Sequence, residues 1–314
     1  MILTVTPNPS LDRTILVDGL VPGAVHRTRR ARVDPGGKGV NVARAVTAAG
    51  GRTLALLPAG GADGERLAEL LAAESVPATE VETAQPTRSN LAVVEADGTT
   101  SKFNDPGPEL TATELAALSS RVTELATASD WVVLCGSLPS GCPDGLHADL
   151  VLAAREGGAR VAVDASGAPL AAACRNTPDV VKPNLAELGE WAGRRLDSLG
   201  DVRDAGQDLR SAGPRSVLVS LGEHGALLLD DAGAWHATSD VDTVRSTVGA
   251  GDAMLAGFLL GGGTGLAALR TAVAYGAAAV GLPGSRMPWP EHLRTETVRL
   301  NELDESLNLT GVAA

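Results

Sequence analysis

Ser246-Thr247-Val248-Gly249-Ala250-Gly251-Asp252-Ala253-Met254 is a glycine turn running into a small-residue apolar stretch. Two glycines one residue apart let a backbone turn sharply and approach a ligand closely. The stretch from 253 to 260 predicts a helix. A turn feeding a helix start aims free N–H groups and the positive end of the dipole at one point, which suits an anion. Asp252 stands in that first turn. A carboxylate there can take a proton from a hydroxyl while the amides of Gly249, Ala250 and Gly251 hold the charge of a transferring phosphoryl group. Asp near a helix start also serves plain capping, so the rest of the chain has to decide between the two.

Outward from this turn, short β-rich runs alternate with Ala/Leu runs. The segments 53–57, 131–135, 160–164, 180–182 and 216–221 predict buried strands, and 1–7 enters as a strand. The segments 41–49, 64–73, 113–126, 144–155, 201–211, 251–260 and 266–280 predict helices. Such alternation gives an α/β fold with a mostly parallel sheet and helices on both faces, whose ligands bind beyond the carboxyl ends of the strands. Two segments break the rhythm: 13–17 with 25–33, and 88–95 joined through Asp97-Gly98 to 99–104. Asp-Gly between alternating strands is a strong hairpin signature. Together they predict a small β-sheet over the site, a lid formed by about 13–35 and 87–105 of a single domain spanning 1–314. The tail after Asn308 reads as frayed.

Bulk properties exclude several classes. The net charge of −12 opposes nonspecific binding to nucleic acid and to anionic membrane surfaces. An aromatic content of 2% leaves few platforms for stacking bases. No apolar stretch reaches membrane-spanning length, and no secretory leader is legible, so a cytoplasmic location is expected. Cys135, Cys142 and Cys174 show no metal-type spacing and read as reduced thiols. The five histidines suggest no metal or nucleophilic site, and His224 reads as the rim of a loop.

Only three of the 26 basic residues are lysines: Lys38, Lys102 and Lys182. A compact ammonium differs from a planar guanidinium in size and hydration. Lys38 lies in Pro35-Gly36-Gly37-Lys38-Gly39-Val40-Asn41, Lys102 on the predicted lid strand, and Lys182 at a strand end before Pro183-Asn184-Leu185-Ala186-Glu187. Gly36-Gly37-Lys38-Gly39 lacks the spacing and the following Ser/Thr of a Walker A loop, and no clean dinucleotide fingerprint is present.

With Thr6-Pro7-Asn8-Pro9-Ser10-Leu11-Asp12, Thr87-Arg88-Ser89-Asn90, Asn104-Asp105-Pro106-Gly107-Pro108, Gly136-Ser137-Leu138-Pro139 and Ser220-Leu221-Gly222-Glu223-His224-Gly225 added, eight motifs stand in order along nearly the whole chain. In that order they resemble the PfkB, or ribokinase-like, carbohydrate kinases, and most of all their 1-phosphofructokinase branch. The resemblance implies a three-layer αβα fold with a small β-sheet lid. It implies ATP- and Mg2+-dependent phosphorylation of D-fructose 1-phosphate at the 6-hydroxyl. Tagatose-6-phosphate kinase, the minor 6-phosphofructokinase and a non-catalytic sugar-phosphate sensor are the alternatives. A lysine in Gly-Gly-Lys-Gly fits the first alternative and the 1-phosphofructokinase branch, where the 6-phosphofructokinase branch often carries glycine.

By the same resemblance Asp252 is the catalytic base, and Asp12, Gly37 and Asn41 meet the sugar. Lys38, Arg88 and Asn90, with Lys102 from the lid, face its phosphate, and Ser137 contacts substrate. Lys182, Asn184, Ser220, Gly222, Gly225 and Thr247 line the nucleotide side, while Asn184 and Glu187 organise Mg2+ through water. A homodimer through the lid is the expected assembly.

Overall fold

A computed structural model describes residues 1–311. In chain order the elements are β1 (Ile2–Val5), β2 (Ser10–Leu16), β3 (Arg30–Gly36), α1 (Lys38–Ala48), β4 (Thr53–Ala59), α2 (Gly61–Ala73), β5 (Ala78–Glu82), β6 (Arg88–Val94) and β7 (Thr100–Phe103). There follow α3 (Ala112–Ala126), β8 (Trp131–Cys135), α4 (Leu146–Glu156), β9 (Arg160–Asp164), α5 (Gly167–Cys174), β10 (Val180–Val181), α6 (Leu185–Ala192) and α7 (Leu199–Ser211). The chain closes with β11 (Ser216–Ser220), β12 (Ala226–Asp230), β13 (Gly233–Thr238), α8 (Ala250–Leu260), α9 (Gly265–Val280) and β14 (Arg299–Asn301).

Ten strands form one sheet in the order β14-β13-β12-β11-β10-β9-β8-β1-β4-β5. From β5 to β11 every pairing is parallel, and β12, β13 and β14 add an antiparallel edge. Side chains of a strand alternate between faces, and both faces are buried here. Leu3, Val5, Val132, Leu134, Val161 and Val163 pack with α3 to α7. Ile2, Val133, Cys135, Ala162 and Leu218 pack with α1, α8 and α9. A strand buried on both sides must be apolar throughout, which is why β8 and β9 stand at the limits read from sequence. The capping boxes Thr111/Glu114, Asn184/Glu187 and Ser198/Asp201 fix the starts of α3, α6 and α7.

The second sheet has the order β3-β2-β6-β7. The strand expected over 25–33 is displaced to Arg30–Gly36. Gly19, Pro22 and Gly23 interrupt the ladder, and Val25 is 95% exposed. β3 pairs with β2 up to Ser10↔Gly36 and leads straight into α1. The start of α1 is therefore delivered to the seam between the two sheets. Strands β5, β12 and β13 and helix α5 had no clear periodicity in the sequence and are formed by sheet pairing and packing. The tail is tied down further than expected: Ser198 bridges Asn308, and Leu309 is 2% exposed in the core. For 312–314 the frayed-tail reading lies outside the described residues.

Candidate active site

Helix α8 opens on Gly249 in the left-handed conformation, φ 78, with no side chain capping it. That positive φ is what asks for glycine here, since a side chain at Gly249 would meet only the movable Met287 Cε, at 2.7 Å. Ala250 N–H reaches back to the Thr247 carbonyl at 3.3 Å, a long bond that closes the turn weakly. Thr247 itself is exposed. Asp252, in the first turn, is 7% exposed, and its Oδ2 accepts a hydrogen bond from Asn41 Nδ2 at 2.8 Å. Its other oxygen, Oδ1, takes no hydrogen bond among the described residues.

A buried charge cluster lies beside this turn. Asp164, the last residue of β9, is fully buried. Lys38 Nζ donates to Asp164 Oδ1 at 2.7 Å and to Glu187 Oε1 at 3.0 Å. Lys182 Nζ stands 3.0 Å from Asp164 Oδ2 as an ion pair without hydrogen-bond alignment. The same ammonium lies 3.3 Å from where a side chain would grow on Gly251, so it borders the α8 turn. Burial pushes Asp164 upward, but Lys182 and Lys38 outweigh it and hold the carboxyl below its ordinary range. Asp252 goes the other way. Burial first, then the charge of Asp164, raise it to about 6, opposed by the Asn41 hydrogen bond and the two lysines. A carboxyl poised there can exchange protons near neutral pH.

In front of these groups is a polar cavity of about 300 Å³. Its lining includes Lys38, Asn41 and Glu187, together with Ser10, Asp12, Arg88 and Asn90, and Gly37 and Ser137. Asp252 is not on the lining and reaches the cavity floor through Asn41. Asp12 and Asn90 are register partners of β2 and β6, so their side chains share a face and meet, Asn90 Nδ2 donating to Asp12 Oδ1 at 2.9 Å. Arg88 donates to the carbonyls of Asp105 and Asn8 at 2.7 and 3.0 Å, and its buried Nε has no partner. Ser137 Oγ faces Asn8 Nδ2 at 3.4 Å.

Several predicted residues are engaged differently from the sequence reading. Lys38, read as a free charge for a sugar phosphate, is held by two carboxylates because Asp164 and Glu187 arrive from β9 and α6 on its other side. Asn41, read as a sugar contact, spends its amide on Asp252 and Arg44. Lys102 is exposed on edge strand β7, on the Asp12 and Asn90 face but off the cavity lining. Asn184 and Glu187 cap α6 reciprocally. Ser220 bridges Asn184 at the end of β11, and Gly222 and Gly225 flank a single helical turn. Gly225 has φ 77, and a side chain there would overlap the Ala237 carbonyl, so β13 accounts for this glycine.

For a divalent cation, the described residues hold no group of three or more His, Cys, Asp or Glu that could cage one. Glu187 already receives Lys38 and the Asn184 N–H. The oxygen donors that remain suit a hydrated ion that keeps most of its water and phosphate ligands. The sequence reading did not single out Asp164, Arg44 or Glu74. A carboxylate closing the apolar run Arg160–Asp164 was the one legible sign of the first.

A second cavity of similar size lies between α6 and the 309–311 segment. Its arginines, Arg194 and Arg195, are paired with Asp201 and Asp197.

The family model described as pfkB family carbohydrate kinase matches residues 6–292. The chain is 39% identical over 307 residues to 1-phosphofructokinase of Rhodobacter capsulatus, covering 95% of this chain and 97% of that protein. It is 40% identical over 262 residues to ATP-dependent 6-phosphofructokinase isozyme 2 of Escherichia coli (strain K12), covering 82% and 84%. Its fold superposes on the crystal structure of phosphofructokinase-2 from Escherichia coli in complex with substrates and products. The TM-score is 0.86, with 38% identity and coverage of 94% and 97%.

Proposed function

The chain belongs to the pfkB family of carbohydrate kinases, and from that premise we propose the reaction ATP + D-fructose 1-phosphate → ADP + D-fructose 1,6-bisphosphate. It is a phosphotransferase with an alcohol acceptor. The observation that carries the reading is Asp252: a buried carboxylate in the first turn of an uncapped helix, with one oxygen held by Asn41 and the other unengaged.

Asp252 Oδ1 takes the proton of the 6-hydroxyl as that oxygen attacks the γ-phosphorus in line. The bond to the ADP oxygen breaks, and its electron pair leaves with ADP. The amides at the α8 start face the charge on the transferring group. Lys182, beside Gly251, adds a buried cation on that side. Arg88, on the cavity lining, holds the 1-phosphate, with Asp12 and Asn90 orienting the hydroxyls. A divalent ion would supply neutralisation of the nucleotide phosphates, with Asn184 and Glu187 holding its water. The small sheet closes over the cavity and excludes water, which suppresses ATP hydrolysis. Leu16 and Phe103 are exposed on that sheet and suit a homodimer contact.

Near-complete mutual coverage with a 1-phosphofructokinase supports the 1-phosphate over the 6-phosphate. The comparable identity to a 6-phosphofructokinase over fewer residues defines the rival. An ADP-release assay with fructose 1-phosphate, fructose 6-phosphate and tagatose 6-phosphate at matched concentration tests this. The highest kcat/KM is expected on fructose 1-phosphate. Preference for either other sugar overturns the substrate, and no turnover of any favours a sensor.

A further inference from the structure

Arg44 lies on α1, 5% exposed, one turn beyond Asn41. Its Nε and Nη2 grip the Glu74 carboxylate at the end of α2 at 2.6 and 2.9 Å. Its Nη1 donates to Asn41 Oδ1 and to the Ser285 carbonyl, both at 3.1 Å. Ser285 belongs to the segment after α9, two residues before the Met287 that closes on Gly249. One guanidinium thus joins α1, α2 and that segment around the base.

The two ends of an asparagine amide have nearly the same shape, so sterics alone do not choose which faces Asp252. A guanidinium has donors only, so the amide end facing it must be the oxygen. That choice sends Nδ2 toward Asp252 Oδ2. A flipped amide would set oxygen against carboxylate and NH2 against guanidinium, two repulsive contacts in a buried place. The bidentate grip of Glu74 fixes the guanidinium plane and so makes the choice firm. The charged groups facing Asp252 are Asp164 from β9, Lys182 after β10 and Lys38 from α1. None of them hydrogen-bonds Asn41 among the described residues.

We propose that Arg44 is a positioning residue for phosphoryl transfer: it fixes the Asn41 amide, which holds one oxygen of Asp252 and leaves the other for the acceptor hydroxyl. The inference rests on Asp252 as the base. Steady-state kinetics across pH and thermal melts are compared for the full-length wild type, Asn41→Ala, Arg44→Met, their double variant and Asp252→Asn. Arg44→Met is expected to lose up to about 100-fold in kcat, with little change in the ATP KM. Its acid limb should move to higher pH, since the hydrogen bond that pulls Asp252 down is lost. The double variant should be no slower than Asn41→Ala alone, because both remove one device.

A folded Arg44→Met with wild-type kcat and pH profile, or losses that add to those of Asn41→Ala, overturns the proposal. Should Arg44→Met fail to fold, Glu74→Gln enters the same cycle, with a smaller non-additive loss expected and an additive one refuting. Near-normal turnover by Asp252→Asn defeats the base assignment itself. An inactive Asp252→Asn beside a normal Arg44→Met defeats the role of Arg44 alone.

Discussion

Replacing Asp252 by Asn should make the protein more stable and almost inactive. The carboxyl is buried beside Asp164, and its pKa is raised from 3.8 to about 6. When a folded-state acid is raised, the native state binds more protons than the unfolded chain between those two values, so stability falls as pH rises through them. Above the folded value the full cost applies, and a rise of that size corresponds to roughly 3 kcal/mol. Asparagine is isosteric, keeps an oxygen for the Asn41 donor and removes the charge. Its NH2 finds a less suitable partner, so a gain of about 1–3 kcal/mol is expected at neutral pH.

Urea melts of both proteins measure the gap directly. It should shrink as pH is lowered from about 6 toward 3.8 and vanish only well below 3.8, where Asp252 is protonated in both states. The same substitution removes the base and should cost about 10²–10⁴ in kcat. An Asp252→Asn protein less stable than wild type at neutral pH, or a gap that does not change with pH, would refute the electrostatic account. Near-normal kcat would remove Asp252 from the base role.

Arg88→Ala should raise the sugar-phosphate KM about 10- to 100-fold while leaving that for ATP nearly unchanged, since a charged donor on the cavity lining is lost. A change confined to the ATP KM would reverse that assignment. Gly225→Ala should destabilise by about 2–4 kcal/mol, because it joins a positive φ to overlap with the Ala237 carbonyl. A wild-type melting temperature with a raised ATP KM would instead return that glycine to the nucleotide.

Much of the architecture was legible because burial on both faces forces an unbroken apolar run. Arg160–Asp164 and Trp131–Cys135 need no tertiary information to be read as strands of a covered sheet. The turn before α8 was legible because glycine at positive φ and a helix start have residue signatures. The β12 and β13 pair was not, because Leu227, Leu228 and Leu229 in succession carry no period. Strand β3 was misplaced because its limits come from pairing with β2, not from its own residues. Lysine usage led to the right neighbourhood, since Lys38 and Lys182 both stand at the charge cluster. It could not name their partners.

Sequence alone determined most of the helices, the doubly buried parallel strands, the glycine turn and the residue types of a phosphoryl-transfer site, because these follow from period, propensity and local backbone freedom. Tertiary structure decided which charge meets which. Lys38 meets Asp164 and Glu187 across 126 and 149 residues, and Asn41 meets Asp252 across 211. Such pairings are set by the order and register of strands in the sheet. The direction of the Asn41 amide is set one step further on, by a guanidinium that offers only donors.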